Sequence, residues 1–170
     1  MQSSLQEILQ SYNDQTALAE SYTIPASWYI DERIATLERQ FVFGGTWQVV
    51  AGLDQLKRPG QFITRELAGE PIVVVRANDG ELHAFYNVCR HHAAAVVTEA
   101  KGSASTFRCP YHGWSYGLDG TLKGAPSLRV FATLTARGTG WFQFRLAYGS
   151  SSYSSTSIPQ PARWRPSLAG

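Results

Sequence analysis

NVCRHHAAAVV (87–97) and FRCPYHGWSYGLDGTLKGAP (107–126) are the two stretches that decide how this chain is read. They hold both cysteines and two of the four histidines, as Cys89-Arg90-His91 and Cys109-Pro110-Tyr111-His112. A cysteine and a histidine thus recur together twice, first as C-x-H and then as C-x-x-H. Thiolate and imidazole in one place suit zinc, copper or an iron–sulfur cluster. Each group directly follows a run that reads as a strand, so each stands at a tip where a loop can face a ligand.

Three readings compete for these four side chains. Structural zinc can use them, but zinc fingers pair two cysteines and then two histidines at wider spacing, which C-x-H fits poorly. Two buried or disulfide-linked cysteines beside unrelated histidines leave the repeated pairing unexplained. A [2Fe–2S] cluster in which two histidines replace two cysteines on one iron needs one of each from two facing loops. The sequence supplies that pattern, so the third reading is preferred.

Outward from the loops, short β-branched or aromatic runs lie between glycines and prolines: 47–51, 61–64, 72–76 and 82–86. Asn78-Asp79-Gly80 predicts a hairpin between 72–76 and 82–86. The run 104–108 and the stretch around 116–120 with 121–123 add at least two further short strands. Closely spaced strands with turn signals predict a mainly β domain, an antiparallel sandwich or barrel-like fold, over 47–128. Before it, Leu5, Ile8, Leu9 and Tyr12 recur at helical spacing behind a Ser4/Glu7 capping box. Ile30, Ile34, Leu37 and Phe41 predict a second helix, set off by Pro25 and stopped by Gly44-Gly45. Residues 1–46 therefore read as a helical segment.

Composition narrows the function. The 170 residues carry a net charge of +2, with 44% hydrophobic residues. No apolar run approaches the roughly 20 residues of a membrane span. Nothing in the first 20 residues resembles an export or transit signal, and two cysteines make no disulfide framework, so a cytoplasmic setting is expected. All 13 acids fall in 1–119, while 120–170 hold six bases and no acid. Those bases are sparse and unclustered, so no nucleic acid is expected as a partner. Residues 129–170, rich in Ser, Pro and Gly toward the end, read as an irregular, disordered tail.

The two quoted stretches, with 24–52 upstream, resemble the Rieske domain of ring-hydroxylating-type oxygenase α subunits, and within that family the choline monooxygenase branch. The resemblance covers roughly 20–128. It implies a Rieske-type antiparallel β-sandwich with one [2Fe–2S] cluster, Cys89 and Cys109 on one iron, His91 and His112 on the other. Neutral imidazoles make such a cluster easier to reduce, with potentials from about −150 to +300 mV. Respiratory Rieske proteins carry an extra cysteine pair and a serine about where Tyr111, Ala94 and Trp114 stand here. That departure implies the low-potential oxygenase type. Trp114 and Tyr116 read as shielding, Gly113 as a tight bend, His92 as a neighbour outside the ligand set, and His83 as solvent-facing.

The resemblance also implies a ferredoxin or reductase as electron donor, a homo-oligomer, and a choline-like substrate in full-length relatives, oxidised toward betaine aldehyde. Those relatives continue into a domain with a mononuclear iron on two histidines and a carboxylate. Here no histidine follows His112 and no acid follows Asp119. The sequence also leaves the family pattern after GAPSLRV (124–130), so the chain reads as truncated before that domain. Two function classes follow: the electron-transfer domain of an oxygenase, or a stand-alone Rieske-type carrier.

Overall fold

The computed structural model describes residues 3–126 and 140–144. The chain divides into two compact units, one holding the N-terminal residues through Gln48 and the other beginning at Val49.

In the first unit, α1 (Leu5–Gln10) begins where the sequence predicts. The Ser4 side chain accepts from the Glu7 backbone, and the Glu7 carboxylate accepts from the Ser4 N–H at 2.7 Å. The expected second helix is broken in two. Asp31 adopts an extended backbone (ψ 116°), ending α2 (Ala26–Ile30) and capping α3 (Glu32–Leu37). A π-helical turn, Glu38–Phe43, carries on to the glycine pair. An Asp that can cap a helix competes with continuing one, because its side chain satisfies the free N–H groups of the next turn. Trp28 anchors α2 to α1, donating from Nε1 to the Ile8 carbonyl at 3.0 Å.

The second unit is arranged around one strand. Counting from Gln61, β1 (Gln61–Leu67), β2 (Glu70–Arg76) and β3 (Leu82–Tyr86) form an antiparallel meander. The unbroken apolar run Ile72-Val73-Val74-Val75 makes β2 central and buried on both faces. Val73 and Val75 join Phe62 and Phe85 on one side, while Ile72 and Val74 join Ile63 and Ala84 on the other. A strand covered on both faces shows a continuous apolar run where a half-exposed one alternates. Burial of each such side chain contributes on the order of 1.5–3 kcal/mol.

The β1–β2 connection is Ala68-Gly69, with φ of 54° and 88°, the positive values of a two-residue hairpin turn. The predicted Asn78-Asp79-Gly80 turn is present, its Gly80 at φ 87°. Two short strands complete the sheet: β4 (Lys101–Ser103) beside β1, and at the far edge Gln143–Phe144 beside β3. A second sheet holds β5 (Phe107–Arg108), β6 (Ser115–Tyr116) and β7 (Leu122–Gly124), so Gln143–Phe144 is β8.

Three expectations need correction. Residues 47–51 form no strand, and Val49 is 96% exposed. A β-branched run becomes a strand only when a neighbouring strand pairs with it, and no described strand does so here. The run 104–108 pairs only at Phe107–Arg108, while Lys101–Ser103, rich in Gly and Lys and unmarked by periodicity, pairs with β1. Residues 140–144, assigned from sequence to the tail, form β8 and place Trp141 in the core. The rest of the expected disordered tail lies outside the described residues. Among the described residues, no helix is long and apolar enough to cross a membrane.

The Asp31 cap has a measurable pH signature. Arg33 donates to the carboxylate at 2.9 and 2.6 Å and its backbone N–H at 3.0 Å, which holds Asp31 at about 2 against an ordinary 3.8. A depressed carboxylate stabilises the fold above its unfolded value, and that contribution is lost as pH falls through the folded value. The Arg33 amide resonance is therefore expected to titrate with a midpoint near pH 2. A midpoint near 3.8 would show the cap to be absent in solution.

Candidate metal centre

The two Cys/His loops leave the ends of β3 and β5, and their backbones close in the same way. The Cys89 carbonyl accepts from Ala93 N–H at 2.9 Å, and the Cys89 N–H donates to the Ala94 carbonyl at 2.8 Å. In the second loop the Cys109 carbonyl accepts from Gly113 at 3.0 Å, and its N–H donates to Trp114 at 2.7 Å. Ala93 and Gly113 occupy matching places with positive φ, 56° and 74°. One loop geometry is thus built twice, each time with a cysteine at its base.

Both cysteines are free and buried within the larger core. His91 is half-buried, while His92 and His112 are exposed. The ligand nitrogens of these three histidines all lie within 4.8 Å of one another. Trp114 covers His91 face to face, ring centroids 4.8 Å apart and planes 4° off parallel. Burial, and then the neighbouring His92 and His112, push the His91 imidazole below its ordinary value, favouring the neutral ring that binds metals. Its Nδ1 is buried with no hydrogen-bond partner among the described residues. A buried ring nitrogen without a partner, within a cluster of three imidazoles, is a donor set that suits a metal.

Asn87 fixes the base of the first loop. Its Nδ2 donates to the Val97 carbonyl at 2.7 Å, and its Oδ1 accepts from Val96 and Val97 N–H at 3.2 and 2.9 Å. Tyr116, fully buried, reaches from β6 to the first loop. Its hydroxyl lies 3.3 Å from Cys89 Sγ and accepts from the Arg90 N–H at 3.1 Å. Burial and the contact with Cys89 push the phenol well above its ordinary value, so it stays protonated.

The structure brings His91 and His112 together and sets both cysteines in the core around Tyr116. Trp114 shields as expected. His83 departs from its expected solvent-facing role: its side chain is 21% exposed, its Nε2 is buried, and its ring stacks on Phe85. Sequence reasoning missed the Asn87 clamp and the Tyr116 hydroxyl. A polar Asn abutting a cysteine loop was the one local signal available for the former.

Twinned cysteine loops with clustered histidines at the edge of a small antiparallel domain point to a class, and comparisons with known proteins show it. Residues 46–135 match the Rieske [2Fe–2S] domain, and the chain belongs to that family. The cofactor of such a domain is a [2Fe–2S] cluster. Choline monooxygenase, chloroplastic, of Spinacia oleracea is 34% identical over 145 residues, covering 85% of this chain and 33% of the spinach protein. The glycine betaine monooxygenase oxygenase subunit of Chromohalobacter salexigens is 39% identical over 101 residues, covering 59% of this chain and 23% of its own. Among solved structures, the apo form of the quaternary ammonium Rieske monooxygenase CntA superposes with a TM-score of 0.66 at 31% identity, over 74% of this chain and 36% of that one. The chain thus spans about a third of the length of the spinach protein it matches.

The twinned loops differ in strain, which gives a test. Ala93 carries a left-handed backbone that costs a non-glycine residue roughly 1–2 kcal/mol. Ala93→Gly is expected to raise stability by about 0.5–1 kcal/mol after the entropy cost of glycine. Gly113→Ala should lower it by about 1 kcal/mol, since its Cβ would also meet the Arg108 guanidinium at 3.2 Å. Thermal melts of both variants read this. A lower melting point for Ala93→Gly together with a higher one for Gly113→Ala would refute the shared loop geometry.

Proposed function

We propose that this chain is the electron-transfer domain of a choline monooxygenase-like oxygenase, with Cys89 and Cys109 holding one iron and His91 and His112 the other. What carries the reading is the twinned loop geometry, which presents one buried cysteine and one histidine from each of two strand ends. The backbone match puts His92, three residues past its cysteine, opposite His112. The resemblance to the Rieske C-x-H spacing favours His91 over His92, and the unpartnered, buried Nδ1 of His91 supports that choice.

The cluster, when bound, supplies one-electron transfer. The chain's own residues do the rest. The core around Cys89 and Cys109 excludes water from the sulfur side. Trp114 covers His91, which leaves His112 as the exposed imidazole through which an electron enters or leaves. Against a thiolate, which has no proton to give, the Tyr116 hydroxyl donates, and that hydrogen bond favours the reduced, more negative state.

The donor in this reading is a ferredoxin or a reductase, the substrate of the whole oxygenase is choline or a similar quaternary ammonium compound, and the assembly is a homo-oligomer. Similarity to choline and glycine betaine monooxygenases supports the substrate class. Two free cysteines support a reducing, cytoplasmic setting.

Purified chain reconstituted with iron and sulfide is expected to hold one cluster per chain with a reduced-state electron paramagnetic resonance signal. Cys89→Ser and Cys109→Ser should each abolish it, because a soft anionic ligand is lost. A colourless, zinc-loaded protein would overturn the assignment.

Residues 1–170 supplied with reduced ferredoxin, ferrous iron, oxygen and choline are expected to take up electrons without forming betaine aldehyde. A non-haem iron centre needs two histidines and a carboxylate with open positions. His83 and His92, the two histidines left over, have no carboxylate arranged with both. Product at a catalytic rate would refute this.

A further inference from the structure

Residues 141–142 lie beyond the segment matched to the Rieske family, 46–135, yet they grip both neighbours of Cys89. Trp141 is 5% exposed, and its Nε1 donates to the Val88 carbonyl at 2.9 Å. Its backbone N–H donates to the Gly120 carbonyl at 2.7 Å. The indole stacks on Phe85 at 5.2 Å and on Tyr116 at 5.0 Å, and meets Phe107 edge-on at 5.4 Å. The Phe142 carbonyl accepts from Tyr86 N–H at 3.0 Å, and its ring lies 3.7 Å from the Arg90 guanidinium carbon. Val88 is thus held from one side of Cys89 and Arg90 from the other. The tyrosine that touches the thiol is itself packed against Trp141.

We propose that Trp141 and Phe142 are positioning residues for Cys89: they keep its sulfur and the Tyr116 hydroxyl in register, and so set the reduction potential of the cluster. The proposal rests on the reading of Cys89 as an iron ligand. Hydrogen bonds to cluster sulfurs are among the levers that tune such potentials. A hydrogen bond donated to sulfur weakens steeply with distance and angle, so a small swing of Tyr116 or of the 88–90 backbone is felt at the iron. An aromatic residue that merely fills the core would change stability and leave the potential where it was.

The test uses the full chain with its cluster. Trp141→Phe keeps a flat ring and removes the N–H. Phe142→Leu removes the ring beneath Arg90 at a position 53% exposed, where the fold tolerates change. Iron and sulfide content, thermal midpoint, the reduced-state paramagnetic resonance spectrum and the midpoint potential are read for each. Both variants are expected to load a full cluster, with altered g-values. Trp141→Phe should lower the potential, because the bond from Tyr116 weakens. In a Tyr116→Phe background, which lowers the potential by itself, Trp141→Phe should add no further shift.

Unchanged potentials and spectra in both single variants would overturn the proposal, even with a lower melting point. So would a full, independent shift from Trp141→Phe in the Tyr116→Phe background. If Trp141→Phe fails to load, Phe142→Leu decides alone, a moved potential and spectrum supporting the proposal and unmoved ones refuting it. Cys89→Ser separates the two levels. A variant that keeps an unaltered cluster refutes the ligand reading and the proposal with it, whereas loss of the cluster alongside unmoved potentials in the other variants refutes the proposal alone.

Discussion

The Tyr116 hydroxyl is the point at which two distant pieces of chain are tied together. It stands on β6, directly after the second loop, and meets the Sγ of Cys89 and the N–H of Arg90 in the first. Elsewhere the loops meet through rings, Trp114 on His91 and His112 near His91, and among the described residues this contact alone reaches the sulfur. With it, the sulfur of one loop is referred to the strand that ends the other. Burial strengthens the contact, because a phenol and a thiol removed from water have no solvent to compete for them. It also keeps the phenol protonated, so the donor is always ready.

The rest of the second unit supports this arrangement. β2, buried on both faces, divides the interior in two. The side lined by Val73, Val75 and Phe85 carries the cysteines, Trp114, Tyr116 and Trp141. The other side, around Ile63, Ile72 and Val74, has no part in the centre and serves stability. Chemistry and packing are thus separated by a single strand. A core change on the Ile72 side leaves the loops untouched, whereas one at Phe85 passes through Trp141 to both Val88 and Tyr116.

The centre is graded from inside to outside. Cysteines lie innermost, His91 sits half-covered beneath Trp114, and His112 is open to solvent. That gradient gives an electron a short exposed route at one end and a dry environment at the other. The same asymmetry separates His91 from His92, neighbours in sequence that differ in burial. The left-handed residues Ala93 and Gly113 turn both chains back at equivalent points, which lets both cysteines stay inside while the loop tips emerge.

Much of this was legible from residues alone. The spacing of Cys89, His91, Cys109 and His112 is local, and so are the Ser4/Glu7 box, the Asn78-Asp79-Gly80 turn and the apolar run of β2. Each rests on neighbours a few residues apart, which a linear reading sees. It failed where a partner was required. The 47–51 run has strand composition but pairs with no strand among the described residues, and Lys101–Ser103 lacks that composition but lies beside β1. The links that shape the centre span far longer intervals: Tyr116 to Cys89 across 27 residues, Trp141 to Val88 across 53. Sequence by itself determined the spacing of the cysteine–histidine pairs and the family. Only the tertiary structure decided which phenol meets which sulfur, which histidine is covered and which distant indole holds the loop. Hydrogen bonds and ring stacking depend on positions in space, and pattern along the chain does not encode them.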